Sequence, residues 1–251
     1  MDMNEDMITL FLDKIGHQKL KDVFYKMIQD FAIGREHLQR LYEKWSTFYK
    51  DGMTSHEALI SLIQASDELT SVEEPFWEMI AGRFLVYDII CQVQCRNEML
   101  GISTFYQKIQ YLTQEGYYGN YILEHYQSDE IEELSQYIQD QRNELLNYSG
   151  LDMLYKRYLI RDHDHHVLET PQEMFMGIAM HLAMLENDRV YWAKQFYDIL
   201  STLKVTMATP TMANARKPFH QMSSCFIDVV DDSLDGIYKS LDHFAQVSKH
   251  G

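Results

Sequence analysis

The sequence predicts a mainly α fold, and three observations carry that prediction. Apolar residues recur at helical spacing through most of the 251 residues. Capping signatures open one run after another. Only four prolines and eleven glycines are present, too few for a fold made of many short strands and turns. Toward the end the pattern changes to a polar loop, a short strand-like run and a capped helix, and the candidate chemistry gathers there. A hydrophobic share of 46% is enough for a real core, in one large domain or two small ones.

Taken in order, Leu20, Val23, Phe24, Met27, Ile28 and Phe31 mark one helix, and Leu38, Leu41, Tyr42, Trp45 and Phe48 mark the next. Asp51-Gly52 breaks the run, and Thr54 with Glu57 forms a capping box ahead of Leu59, Leu62 and Ile63. Ser71 and Glu74 repeat the device before Pro75, a first-turn proline, followed by Phe76, Met79, Ile80, Phe84 and Tyr87. These stripes read as core. Cys91 and Cys95 share a helical face with no nearby His or Cys in the sequence to complete a metal set, so both are expected to be buried and inert. Glu115-Gly116 ends a further helix, and Ser128-Asp129 starts another through Ile131, Leu134, Ile138 and Leu145.

Tyr158-Leu159-Ile160 and Val167-Leu168 flank the polar run Arg161-Asp162-His163-Asp164-His165-His166, which predicts a small hairpin near 158–168. Three histidines and two aspartates in six residues invite a metal reading. Adjacent side chains on a tight loop rarely converge on one ion, so the expectation is a solvated turn and no metal. Thr170-Pro171-Gln172-Glu173 is a strong helix start, with a Thr cap, a first-turn Pro and a Glu at the third position. The helix it opens is apolar on several faces and should be deeply buried. A second helix follows Glu186-Asn187-Asp188, through Val190, Trp192, Phe196, Tyr197, Ile199 and Leu200. No internal repeat or low-complexity segment interrupts the chain.

The net charge of −16 disfavours binding to a nucleic-acid backbone. No basic-then-apolar leader opens the sequence, and no run of about 18 apolar residues offers a membrane span. Three cysteines without a paired framework fit a reducing compartment. The expectation is a cytoplasmic protein that engages neither membrane nor nucleic acid.

Thr209-Pro210-Thr211 places two hydroxyls in what should be an extended loop, because the residue before a proline avoids the helical region. Such a loop can hold an oxyanion or simply turn into a strand. Cys225 sits in the strand-like run Ser223-Ser224-Cys225-Phe226-Ile227, either as an inert thiol or as one that does chemistry. Asp231-Asp232-Ser233 caps the helix carrying Leu234, Ile237, Leu241 and Phe244, and a helix N-terminus also presents free amides that suit a phosphate or ribose.

Four segments then resemble one family. Glu169-Thr170-Pro171-Gln172-Glu173-Met174-Phe175, Ala208-Thr209-Pro210-Thr211-Met212-Ala213-Asn214, Ser223-Ser224-Cys225 and Asp232-Ser233-Leu234-Asp235 occur in the order and spacing of the large, catalytic α subunit of class I ribonucleotide reductase. The resemblance is strong from about residue 150 onward and collinear before that, and it covers the first part of the family's usual subunit. It implies a helical N-terminal domain followed by the first strand and first helix of a ten-stranded α/β barrel. It also implies radical-based reduction of ribonucleotides, usually diphosphates, to 2′-deoxyribonucleotides. Cys225 would be one of the cysteine pair that supplies protons and electrons and ends each turnover as a disulfide. Thr209 and Ser224 would line the substrate site. Asp232, Ser233, Leu234 and Ile237 would belong to the helix that contacts the nucleoside triphosphate effector (dNTP or ATP) and packs against its twin in a homodimer, with a stripe of Leu234, Ile237, Tyr238, Leu241, Phe244 and Ala245 suited to such a seam. The radical would come from a small subunit and the reducing equivalents from thioredoxin or glutaredoxin, with no cofactor bound by this chain.

Two departures accompany the resemblance. The family's ATP-cone, where present, begins with a basic strand and a Gly turn; Met1 to Ile15 has no Lys-Arg-x-Gly element, whereas Asp51 to Ile90 looks like the later helices of a cone. A degenerate or absent activity site is expected. The chain also ends at Lys249-His250-Gly251, where the family continues into a Gly-rich turn and the remaining barrel. The expected organisation is therefore 1–100, helical and partly ATP-cone-like; 101–220, the helical N-terminal domain with the hairpin; and 221–251, the start of the barrel. A complementary C-terminal part of the large subunit would be needed for turnover. The competing expectation is a non-catalytic helical scaffold or regulatory protein derived from the family. A thiol hydrolase built on Cys225 lacks an obvious base, since His220 lies five residues back and should face away.

Overall fold

The computed structural model describes residues 5–250; Met1–Asn4 and Gly251, parts of the expected 1–100 and 221–251 segments, lie outside the described residues. The helices in chain order are α1 (Glu5–Ile15), α2 (Leu20–Phe31), α3 (Arg35–Ser46), α4 (Ser55–Asp67), α5 (Phe76–Leu100), α6 (Phe105–Gln114), α7 (Tyr121–His125), α8 (Ser128–Tyr137), α9 (Tyr148–Met153), α10 (Pro171–Ala183), α11 (Arg189–Ser201), α12 (Thr209–Asn214) and α13 (Leu234–His250). A 3-10 turn spans Asp140–Leu145 and a π turn spans Leu154–Tyr158. No strand is assigned among the described residues, so the mainly α expectation holds and the barrel strand expected at Ser223–Ile227 is not formed. The physical reason is the absence of a neighbour: a strand exists only through its ladder, and among the described residues this segment has no second strand to pair with. No helix is long and apolar enough to cross a membrane among the described residues.

The chain forms two compact units. The first comprises the residues up to Ser103 together with Ile138–Met174. Its core is aromatic: the Phe11 ring packs on Phe24 and Trp45 at centroid distances of 5.0 and 5.2 Å, and Phe24 packs on Phe84 at 5.2 Å. The buried indole Nε1 of Trp45 donates to Ser61 Oγ at 2.8 Å, which satisfies its polar edge inside the core. The capping box at Thr54 is present, with Thr54 Oγ1 accepting from Glu57 N and Glu57 Oε2 accepting from Thr54 N. Along α5, Gly82 lets the backbone at Leu146–Tyr148 approach closely; a Cβ there would lie 3.0 Å from the Leu146 carbonyl oxygen.

The hairpin expected near 158–168 is reduced to a single antiparallel bridge, Arg161 to Val167. Tyr158 is taken up by the π turn, and buried Glu169 satisfies Ile160 N at 2.8 Å in place of a ladder partner. Asp162 organises the tip. Its Oδ1 accepts from the backbone N–H groups of Asp164 and His166, while its Oδ2 takes Arg96 at 2.8 Å and lies 3.1 Å from His166 Nδ1.

The second unit comprises Thr104–Tyr137 and the residues from Phe175 onward. Here α8 is held to α11 by Arg189, which donates to both oxygens of Glu130, and by Tyr137 Oη, which donates to Asp198 at 2.8 Å. Tyr126 Oη donates to the Met180 carbonyl at 2.8 Å and so anchors the short α7 segment to α10. As the sequence predicted, α10 opens on a capping box between Thr170 and Glu173 and is buried along most of its length.

Candidate functional site

The site candidates lie in the second unit, beginning at α12. Thr209-Pro210-Thr211 forms the first turn of this short helix and is not an extended loop. The extended residue is Ala208, at φ −62° and ψ 151°, and the proline occupies an early position where its missing N–H is not needed. Thr209 is exposed, whereas Thr211 and Met212 are buried and fix the helix in place. Behind α12, the fully buried Arg216 donates to the Met212 carbonyl at 2.9 Å, and its own carbonyl accepts from Gly119 N at 2.9 Å. Tyr121 Oη donates to the Ala215 carbonyl at 2.8 Å and lies 3.0 Å from His181 Nδ1. Since the phenol proton is already committed, the His181 Nδ1–H is the donor of that second bond. Burial, reinforced by nearby His220, lowers the His181 pKa to about 4.

From α12 the chain runs to Cys225 through one anchored turn, in which Asn214 Nδ2 donates to the Gln221 carbonyl at 2.9 Å. Ser223 to Ile227 then lies in the open: Ser224 and Cys225 are exposed, with Ser224 Oγ 4.0 Å from Cys225 Sγ, and Ile227 keeps 96% of its surface. Cys225 is a free thiol. Its segment is pinned to α13 by Asp228, which accepts from Ser240 and lies 3.3 Å from His243 Nδ1. Those bonds, led by the one from Ser240, hold the Asp228 carboxyl below its ordinary range. A shallow hollow of about 380 Å³ is lined by Cys225, Phe226, Asp228, His243, Phe244 and Val247.

Sequence reasoning missed Asp228, Ser240 and His243. The signal was available: His243 and Ser240 sit three apart on the predicted helix, so one face of α13 carries both toward any acceptor packed against it. What spacing could not show is that the acceptor would be the residue three places after the cysteine. His243 also places an imidazole in the Cys225 hollow, whose lining does not include His220.

The start of α13 follows the predicted cap. Ser233 Oγ accepts from Gly236 N at 3.0 Å, and Gly236 permits Asp231 to fold back over the first turn, since a Cβ at 236 would lie 2.9 Å from the Asp231 carbonyl oxygen. Asp232, Ser233, Leu234 and Ile237 are all exposed, and so are Tyr238, Leu241 and Phe244 along the same stripe. Among the described residues, the group able to bring three ligand atoms together within 4.8 Å is Asp162, Asp164 and His166, away from these candidates in sequence.

Comparison with known proteins decides the family. Residues 144–220 match the family described as "Ribonucleotide reductase, all-alpha domain", and residues 91–142 match "Ribonucleotide reductase N-terminal". Between them the two matches take in more than half of the chain. The chain belongs to the ribonucleotide reductase family. It corresponds to an N-terminal portion of the large subunit. A ribonucleoside-diphosphate reductase subunit alpha of Treponema pallidum is 51% identical over 91% of this chain and 27% of its own length. The subunit alpha of Helicobacter pylori J99 is 34% identical over 81% of this chain and 25% of its own, and that of bacteriophage T4 is 34% identical over 80% and 26%. The reductase chain thus spans about a quarter of the length of these curated relatives.

Proposed function

We propose that this reductase segment supplies one wall of a ribonucleoside-diphosphate reducing site, with Cys225 as a redox-active thiol and Thr209 and Ser224 against the substrate. The observation that carries the reading is the presentation of Cys225. It is exposed beside Ser224, on a segment fastened at Asn214–Gln221 before it and at Asp228–Ser240 after it. A thiol held at both ends of a short open segment can meet both a bound substrate and an external dithiol. In the proposed step, Cys225 and a partner thiol from a segment of the subunit outside this sequence together give two electrons and two protons. The ribose C2′–OH bond becomes C2′–H, the hydroxyl leaves as water, and the two sulfurs join as a disulfide. Exchange with thioredoxin or glutaredoxin then resets the pair.

The radical that starts the reaction would come from a small subunit. The effector nucleoside triphosphate would lie at the start of α13, around Asp232, Ser233, Leu234 and Ile237, where first-turn amides suit an anion. The exposed stripe of α13 would meet its twin in a homodimer of large subunits. Residues 1–100 would form a degenerate ATP-cone-like region; Glu5–Ile15, where a basic strand would begin a full cone, is helical.

The experiment is reduction of CDP by this chain assembled with the remainder of the large subunit and a small subunit. Cys225→Ser should abolish multiple turnover with a dithiol reductant. Retained multiple turnover in that variant contradicts the assignment and favours a scaffold role.

A further inference from the structure

Helix α11 carries more apolar surface than its own unit covers. At about 3.6 residues per turn its side chains sort into three faces. Ala193, Tyr197 and Leu200 form one face and are buried. Lys194 and Asp198 lie on the next, tied to α8 through Glu133 and Tyr137. The third face holds Trp192, Phe196 and Ile199, and Leu203 continues it just past the helix end. This face stays open: Trp192, Ile199 and Leu203 are exposed and Phe196 is half-buried. A surface helix ordinarily carries one apolar stripe, turned to its core, whereas α11 carries two.

A second observation comes from the backbone. The helix ends in a Schellman motif, with Lys204 N donating to the Ile199 carbonyl at 3.1 Å and Leu203 N to the Leu200 carbonyl at 3.0 Å. That motif sets Leu203 at φ 57°, a left-handed position that glycine ordinarily fills at no steric cost. A leucine there is strained and, being exposed, recovers little by burial. The folded unit would do better without this side chain, which is the mark of a residue kept for contact with another surface.

We propose that this face of α11 docks an apolar helix from the part of the large subunit outside this sequence. The proposal rests on the reductase reading given above. The alternating steps of four and three residues along Trp192, Phe196, Ile199 and Leu203 are those of a helix–helix seam. Because the chain spans about a quarter of the length of its relatives, most of such a subunit remains to supply the occupant. The open face also lies in the unit that carries Cys225, whose own segment lacks a strand to pair with among the described residues. A second copy of this chain is the poorer occupant. Each copy carries a net charge of −16, and the reading already gives the seam between copies to α13.

The test is hydroxyl-radical footprinting of this chain, alone and assembled with the remainder of the large subunit, read by mass spectrometry. Trp45 and Trp77 are fully buried, so Trp192 is the tryptophan that reports, and its oxidation should fall on assembly. Ile199→Glu should keep the helicity of the isolated chain and weaken assembly about tenfold or more. Leu203→Gly should raise the urea midpoint of the isolated chain yet weaken assembly, an opposition of signs that a purely structural residue would not give. Assembly that leaves Trp192 as reactive as before would overturn the proposal and leave the reductase reading standing. Protection of Trp192 on concentrating the chain alone would overturn it in favour of a second copy. Failure of the two parts to assemble at all would overturn it together with the reading on which it rests.

Discussion

The three thiols of this chain sit in three different surroundings, and their reactivity should separate accordingly. Cys225 and Cys95 are exposed, whereas Cys91 is half-buried with its thiol pushed up by burial and by its place beside Asp88. Because the thiolate is the reactive form, a disulfide reagent at neutral pH should modify two thiols quickly and Cys91 slowly. Mass mapping that found Cys91 among the fast pair would contradict its half-buried setting. His181 offers a second residue-scale prediction. Its folded pKa of about 4 lies below the unfolded value near 6.5, so the unfolded chain binds that proton more readily. Stability from this group is intact above pH 6.5 and declines as the pH falls toward 4, by up to roughly 3 kcal/mol. His181→Asn should flatten the pH dependence of urea unfolding over that window, and an unchanged slope would exclude the effect.

At the scale of elements, what was legible in the sequence was local. Thr54–Glu57, Thr170–Glu173 and Ser233 cap the helices that their spacing announced, because a cap is made within four residues. Thr170→Ala should cost about 1 kcal/mol in denaturant unfolding. Gly82→Ala tests a contact that spacing could not show. Helix propensity favours Ala by about 1 kcal/mol, but the new Cβ would press on backbone at Leu146–Tyr148, which cannot swing aside as a side chain would. Overpacking of about 1–3 kcal/mol should prevail, and a stabilised variant would show that the approach is looser than described. Where the reading failed, the cause was equally physical. Pro210 predicts an extended Thr209, yet the extended conformation falls one residue earlier, at Ala208, and the helix begins at once. The strand at Ser223–Ile227 was read from β-prone residues alone, and a strand also requires a partner. The candidate site shared this division: Cys225, Ser224 and the α13 cap were visible as motifs, whereas Asp228, Ser240 and His243 became visible only once the segment was seen folded onto α13.

At the scale of the whole molecule, Ile138–Met174 returns to the first hundred residues to complete one compact unit, a long-range relation to which hydrophobic periodicity is blind. A test of the ATP-cone-like region therefore requires the whole chain. Calorimetric titration of it with dATP should show no tight site, and tight binding abolished by substitutions within residues 1–100 would contradict the degenerate reading. The exposed apolar stripe of α13 and the open segment around Ile227 place their unpaired surface in the unit that carries Cys225, which accords with a site completed by other parts of the large subunit. The most direct test is a single turnover without external reductant, using this chain assembled with the rest of the large subunit and a small subunit, followed by thiol mapping. The account predicts that deoxynucleotide formation is matched by loss of a free thiol at Cys225 and its recovery as a disulfide. Product formed while Cys225 stays fully alkylatable would contradict it.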